Sequence, residues 1–200
     1  MPCWRNDGDD PMSLMHEEAE LLYASVDGTV ERVVQLLEEG QLVVLPCDTI
    51  YGLSGVVGQT LSRLQELKPG QQYAVLASLE QAQQLCVVPS DLAMHWPCPL
   101  TAILPNREGN GSTAIRVPKD PFIQTLLARL GKPIYSTSVN DRGYAITNIT
   151  DIIFTYKQKV QAIVVDPNRR RDTPSTLLDC TTTPYTLLRC GEYDASALLS

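Results

Sequence analysis

The apolar positions of this chain follow two different spacings, which predict two kinds of element. Helical spacing, with an apolar residue every three or four positions, recurs in residues 27–40, 60–67, 78–86, 120–131 and 149–156. Capping signals bound several of these segments. Asp27 or Thr29 is a candidate N-cap of the first helix. Ser78 opens a capping box, and Asp120 precedes a proline at the first helical position. A further short helix is expected after Ser90.

Short apolar runs between the helices predict strands. They occupy residues 42–45, 73–77, 101–104, 114–117, 133–140, 162–165, 176–179 and 186–188, each with valine, isoleucine or threonine. Strands alternate with helices at first, but the later strands follow one another through short turns. This order predicts an α/β protein of α+β-like character, with a mixed sheet and helices packed on it.

The stretch from Gln41 to Leu53 joins the clearest strand to a polar turn. Four apolar residues lead into Pro46, and the turn then carries Cys47, Asp48, Thr49 and Tyr51, closing at a glycine. Polar groups clustered at a strand end mark the usual ligand position in open sheets. Asp48 on its own is typical of a turn or cap acid. Cys47 is interpreted as a small packing residue.

The 200 residues suit one domain with an N-terminal extension. Residues 1–25 mix acids, a proline and methionines before any periodic pattern, which predicts a loosely ordered arm, and residues 26–200 form the predicted domain. No apolar run approaches the length of a membrane span, and acids occupy the place where a signal peptide needs an apolar core. We therefore expect a cytoplasmic protein without a membrane partner.

Charge and cysteine usage narrow the function classes. The formal net charge of −7 argues against a general nucleic-acid binder, so tRNA is expected to bind weakly at most. Six cysteines without a C-x-x-C pair, and two histidines, disfavour a zinc site or a disulfide framework. P-loop and dinucleotide-binding glycine motifs are absent, and no histidine is placed to complete a hydrolase triad. His95 is interpreted as structural, and Trp96 as part of a rigid corner of the core.

Six fragments in series are more informative than any one of them. They are P-C-D-T-I-Y-G-L (46–53), W-P-C-P-L-T-A-I-L-P (96–105), A-I-R-V-P (114–118), S-T-S-V-N-D-R-G (136–143), P-S-T-L-L-D (174–179) and L-L-R-C-G (187–191). In this order and spacing they resemble the YrdC/TsaC family, the threonylcarbamoyl-AMP synthases of tRNA modification. The resemblance covers about residues 28–192, and the chain looks like the single-domain form of the family.

The resemblance implies a twisted open sheet around a concave cleft, and a reaction of L-threonine, bicarbonate and ATP that yields threonylcarbamoyl-AMP and pyrophosphate. It implies ATP as substrate, with Mg²⁺, and a separate transferase complex that completes N6-threonylcarbamoyladenosine in tRNA. Such chemistry relies on positioning and on offsetting phosphate charge more than on a side-chain acid or base. No residue is therefore assigned as a certain acid or base, and no metal ligand is assigned.

Matching motifs carry the family's binding roles onto this chain. Those implied for threonine and the carbamate are Thr49, Tyr51, Thr101, Ser138 and Ser175. Those implied for ATP are Lys68, Arg116, Asn140 and Arg189, the two arginines being suited to bidentate contacts with carboxylate or phosphate.

The chain departs from the family where basic residues usually grip the phosphates. Family members carry K-x-R with a polar or basic pair shortly after it, whereas Lys68 is here followed by Gly70 in the arginine's place and by Ala74 and Val75. Each lost charge-assisted contact costs about 1.5 to 3 kcal/mol. We expect the arginine run around Arg170 to fold over the cleft and replace this charge. The alternative is a divergent, catalytically weak paralogue that keeps the cleft as a nucleotide- or RNA-binding module.

Overall fold

The computed structural model describes residues 18–141, 144–168 and 173–199. Its helices are α1 (Thr29–Glu38), α2 (Leu61–Leu67), α3 (Leu79–Leu85), α4 (Ser90–Ala93), α5 (Pro121–Leu130) and α6 (Ile149–Tyr156). Its strands are β1 (Glu20–Tyr23), β2 (Val43–Leu45), β3 (Gly52–Val56), β4 (Ala74–Leu76), β5 (Leu100–Pro105), β6 (Ser112–Arg116), β7 (Ile134–Ser138), β8 (Asn140–Asp141), β9 (Tyr144–Ala145), β10 (Ala162–Val165), β11 (Thr176–Asp179) and β12 (Thr186–Arg189). Within these ranges, no helix has both the length and the apolar character that crossing a membrane requires.

One mixed sheet holds ten of the strands found in the described residues, in the order β1-β10-β2-β3-β7-β4-β6-β5-β11-β12. The pairs β1/β10, β10/β2, β4/β6 and β5/β11 are parallel, and the other neighbours are antiparallel. Strands β8 and β9 form a separate small hairpin. The predicted α/β fold with a mixed sheet and flanking helices is confirmed.

Helices cover both faces of the sheet, as strand β10 shows. Ala162 and Val164 pack in one apolar cluster with α1 and α5, whereas Ile163, pointing to the opposite face, packs in another with α2 and α6. A third cluster joins α3, α4 and β5 to the C-terminal residues. Trp96 lies buried in that cluster and donates a 2.9 Å hydrogen bond to the Leu100 carbonyl, as expected of a rigid corner.

Helix ends mostly follow their sequence signals. Ser78 and Gln81 form the predicted capping box of α3, and the Asp120 side chain accepts from the Ile123 amide at 3.1 Å to cap α5. The predicted cap of α1 is wrong. Gly28, at φ 84°, is the N-cap, and Thr29 is the first helical residue, with its hydroxyl donating to the Tyr23 carbonyl at 2.8 Å.

Two strands depart from the sequence prediction. Residues 20–23, which the sequence analysis placed in the arm, form edge strand β1 beside β10; residues 1–17 lie outside the described ranges. Strand β3 begins at Gly52, the glycine at which the predicted turn closes, and the sequence analysis did not predict it. Its sequence, G-L-S-G-V, has two glycines, which lower strand propensity. A Cβ at Gly55 would come within 2.8 Å of both the Leu42 Cδ2 and the Thr60 Cβ, so close packing requires that glycine.

Candidate functional site

A cavity of about 600 Å³ lies over the middle of the sheet and gathers most of the predicted site residues. The eight that line it are Thr49, Tyr51, Thr101, Arg116, Ser138, Asn140, Ser175 and Arg189. They come from both halves of the chain and from several strands, so only the folded sheet brings them together. Lys68 is not among the lining residues, and Arg170 lies outside the described ranges. The binding roles of all ten stay predictions.

The turn between β2 and β3 forms one end of the cavity. Leu45 pairs with Gly52, so the turn leaves and re-enters the sheet at adjacent positions. The Arg116 guanidinium crosses to this turn from the end of β6. Its Nη1 donates to the Thr49 hydroxyl at 2.8 Å, and its Nη2 lies 3.3 Å from the Cys47 sulfur.

Asp48 makes a buried ion pair with Arg116, which the sequence did not indicate. The two side chains are 10% and 7% exposed. The second carboxylate oxygen of Asp48 accepts from the Lys119 amide at 2.9 Å, which ties the turn to the segment that follows β6. Cys47 is buried, as its interpretation as a packing residue requires, yet it also lines the cavity and donates to Asp48 Oδ1 at 3.2 Å. Asp48 therefore holds the Arg116 guanidinium in place through this ion pair.

Arg189 and Ser175 form the second polar group of the cavity. The Arg189 Nε donates to the Ser175 carbonyl at 3.0 Å, and its Nη2 donates to the Ser175 hydroxyl at 3.2 Å. That hydroxyl lies 2.8 Å from the Thr101 hydroxyl, across the parallel pair of β5 and β11. Gly191 makes this arrangement sterically feasible, because a Cβ there would run into the backbone of residues 174–176.

Two arginines line the cavity, and the charge of one of them, Arg116, is offset by its ion pair with Asp48. Burial, followed by repulsion from Arg116, lowers the pKa of Arg189, although its guanidinium stays protonated at neutral pH. No aspartate or glutamate is present among the described residues that line the cavity. Two arginines and several hydroxyls can bind a ligand that carries a carboxylate or a phosphate group.

One wall of the cavity is polar but uncharged. Residues 70–74, which are Gly70, Gln71, Gln72, Tyr73 and Ala74, line it. This is the segment in which Gly70 and Ala74 replace residues that are usually basic or polar. The departure noted in the sequence therefore lies at the cavity surface. Arg169 to Arg171, the run expected to compensate for it, fall outside the described ranges.

Lys68 is not among the residues that line the cavity. Its side chain is buried, and its ammonium donates to the carbonyls of Ser138 and Asn140, each at 3.3 Å, and closely to the Asn140 Oδ1. The same ammonium lies 5.5 Å from the centre of the Tyr156 ring. These acceptors hold the ammonium beside β7 and β8, and the predicted role of Lys68 in binding ATP stays a prediction.

Tyr51 also has a structural partner. Its hydroxyl accepts from the Asp166 amide at 3.0 Å, which joins the turn to the end of β10. Tyr51 is buried and also lines the cavity. Sequence reasoning missed Ser136 and Thr137 as lining residues. Their signal was present in the S-T-S-V-N fragment, where three hydroxyl residues run together on β7.

Comparisons with known proteins identify relatives of this chain. Residues 35–191 match the Sua5/YciO/YrdC family model, described as telomere recombination. A Pyrococcus abyssi protein named threonylcarbamoyl-AMP synthase is 29% identical over 175 residues, which cover 78% of this chain and 52% of that protein. The chain thus spans about half the length of that relative.

Solved structures show the same fold. Escherichia coli YciO superposes with a TM-score of 0.81 at 20% identity, covering 90% of this chain and all of that one. The crystal structure of P. abyssi Sua5 complexed with L-threonine superposes with a TM-score of 0.77 at 26% identity, covering 86% of this chain and 57% of that chain.

Proposed function

We propose a function from one premise, which is that the chain belongs to the Sua5/YciO/YrdC family. The proposed activity is that of an L-threonylcarbamoyladenylate synthase. It would make threonylcarbamoyl-AMP and pyrophosphate from L-threonine, bicarbonate or CO₂, and ATP. The product would pass to a separate transferase complex that forms N6-threonylcarbamoyladenosine in tRNA. The relative named threonylcarbamoyl-AMP synthase and the threonine complex of P. abyssi Sua5 support this choice of substrates.

The proposed reaction has two steps. The threonine amine first attacks CO₂, so that an N–C bond forms and a proton leaves to solvent, giving a carbamate. A carbamate oxygen then attacks the α-phosphorus of ATP. The bond between that phosphorus and the oxygen that bridges it to the β-phosphorus breaks, and pyrophosphate leaves. Both steps need close positioning and stabilisation of negative charge, and neither needs a strong side-chain base.

One observation carries the proposal: the cavity combines two guanidiniums with several hydroxyls in a site without acidic side chains among its described lining residues. Arg116 and Arg189 are suited to the anionic groups of the substrates. Thr49, Thr101 and Ser175 already share hydrogen bonds with these arginines or with each other. A carboxylate or phosphate oxygen could replace those internal partners with little rearrangement.

The triphosphate is proposed to enter as MgATP. Among the described residues, no cluster of three or more histidines, cysteines, aspartates or glutamates could hold a metal ion. Mg²⁺ is usually held by substrate phosphates, water and one or two carboxylates. The arginine run around Arg170 remains the proposed source of further positive charge for the β- and γ-phosphates.

Pyrophosphate release tests this function directly. Purified protein is incubated with MgATP, L-threonine and bicarbonate, and pyrophosphate is measured by a coupled enzyme assay. We expect release that requires both threonine and bicarbonate, and that falls at least tenfold in Arg189→Ala, for loss of a charge-assisted contact. Folded protein without threonine-dependent release would overturn the synthase assignment.

The second candidate is a divergent paralogue that binds nucleotide or RNA without efficient turnover. The uncharged wall of residues 70–74 favours it, because the family's phosphate-gripping cations are absent from that described segment. The two candidates differ in one measurement: the paralogue binds ATP or AMP in calorimetry yet releases no pyrophosphate. RNA binding at physiological salt is expected to be weak for either candidate, given the net charge of −7.

A further inference from the structure

The buried Lys68 ammonium contacts one end of the Asn140 side-chain amide. A lysine ammonium can only donate hydrogen bonds, so the atom it contacts closely on Asn140 must be the carbonyl oxygen, Oδ1. The amide nitrogen, Nδ2, then lies on the other branch of the side chain. Within the described ranges it makes no hydrogen bond, and Asn140 lines the cavity. The group that the Asn140 side chain can still offer to a ligand is therefore the Nδ2 donor.

The rest of the Lys68 environment holds this arrangement in place. The ammonium has three N–H groups, and the Ser138 carbonyl, the Asn140 carbonyl and Asn140 Oδ1 lie within reach of it. Tyr156 contributes a hydroxyl that donates to the Asn140 carbonyl at 3.1 Å. On the other side, the Tyr73 hydroxyl donates to the Lys68 carbonyl at 2.9 Å, so Lys68 joins the walls formed by residues 70–74 and 138–140.

We infer that Lys68 is a positioning residue, which acts on the ligand through Asn140 by fixing its amide as a donor to a ligand oxygen. The ligand oxygen belongs to a phosphate or to the carboxylate or carbamate of the amino acid, since all are acceptors. This inference rests on the proposed function for the identity of the ligand. It differs from a direct ion pair between the lysine and a phosphate, which would place the ammonium in the cavity.

A double-mutant cycle separates the two roles. Affinities for AMP and for L-threonine are measured by calorimetry for wild type, Lys68→Met, Asn140→Ala and the double variant. Lys68→Met should weaken one ligand about tenfold, and should have less than about a twofold effect when Asn140 is already alanine. Loss with AMP assigns the phosphate oxygen, and loss with threonine assigns the amino-acid oxygen. Equal costs in both backgrounds would overturn the inference in favour of direct contact.

Salt dependence and a matched control refine the cycle. A direct ion pair with phosphate weakens in high salt, whereas an amide donor is little affected, so the effect of Lys68→Met should stay the same between low and high ionic strength. Lys132→Met removes the same charge from an exposed position and should leave both affinities unchanged. An effect of Lys132→Met as large as that of Lys68→Met would show that the loss of affinity comes from the change in net charge, and would contradict the inference.

A second variant covers the case in which Lys68→Met does not fold. Asn140→Asp keeps an oxygen for the ammonium but presents a carboxylate oxygen to the cavity. It should unfold at or above the wild-type temperature and bind its ligand at least about tenfold more weakly. Wild-type affinity in Asn140→Asp would show that no donor is needed.

An NMR measurement tests the positioning without any ligand. The side-chain amide resonance of Asn140, identified by its loss in Asn140→Asp, should shift in Lys68→Met as the Oδ1 contact is lost. An unmoved resonance contradicts the inference. Failure of wild type to bind AMP, ATP and threonine would instead overturn the proposed function, and the amide resonance would then decide the role of Lys68 by itself.

Discussion

Replacing Asp48 with alanine should destabilise the protein more than any surface ion-pair substitution. Asp48 and Arg116 are 10% and 7% exposed, so the variant leaves a buried guanidinium without its carboxylate. Breaking a buried pair by removing one partner costs about 3–5 kcal/mol. We expect about 3 kcal/mol, the lower end of that range, because Arg116 lines a cavity that admits water.

Urea unfolding followed by circular dichroism measures this cost. With a slope of about 2 kcal/mol per molar urea, the expected loss lowers the midpoint by about 1.5 M. Asp48→Asn keeps an acceptor for the Lys119 amide and should cost less than Asp48→Ala. Arg116→Met combined with Asp48→Ala should cost less than the sum of the two single changes, since no buried charge then remains.

The exposed pair of Glu20 and Arg32 provides the matched control. Its side chains are 36% and 37% exposed, and Glu20→Ala should cost no more than about 1 kcal/mol. The reasoning is refuted if Asp48→Ala shifts the midpoint no further than Glu20→Ala, or if the effects of Asp48→Ala and Arg116→Met add fully.

Three further outcomes are expected. Gly191→Ala should lower the free energy of unfolding by about 1–3 kcal/mol, because the new methyl group meets the 174–176 backbone; an unchanged urea midpoint would contradict this. Burial raises the pKa of Cys98 to about 11 and of Cys180 to about 12, above the ordinary 9.0. The free energy of unfolding should therefore fall as the pH rises from about 9, and it should fall less steeply when both cysteines are replaced by alanine. Arg189→Lys should weaken AMP or threonine binding about tenfold in calorimetry, because lysine cannot donate to both serine oxygens in a fork; wild-type affinity would count against that role.

Local patterns predicted most of the fold, and the exceptions have physical causes. Segments with strong periodicity and caps, such as α3 and α5, were predictable because the signals lie within a few residues of one another. Strand β3 was missed because it contains two glycines, and Gly55 is required by packing against Leu42 and Thr60, which lie outside the strand. Strand β1 was missed because its partner in the sheet, β10, lies far along the chain.

The site was predictable at the level of motifs but not of contacts. The ordered fragments identified eight residues that the fold does bring to one cavity. They did not indicate that Asp48 pairs with Arg116 or that Lys68 turns toward Asn140, since each contact joins segments about 70 residues apart. Such partners depend on how strands stack in the assembled sheet, and no local pattern encodes them.

The position of β10 in the sheet has a consequence for folding during synthesis. Strand β2 is fully buried in the finished protein, and it pairs on one side with β3, which follows it closely. Its other side pairs with β10, at residues 162–165. Until that part of the chain has left the ribosome, the backbone edge of β2 stays open, and open apolar edges promote aggregation. We therefore expect ribosome-bound chains cut before residue 162 to recruit chaperones, and chains long enough for residue 165 to have left the ribosome to release them.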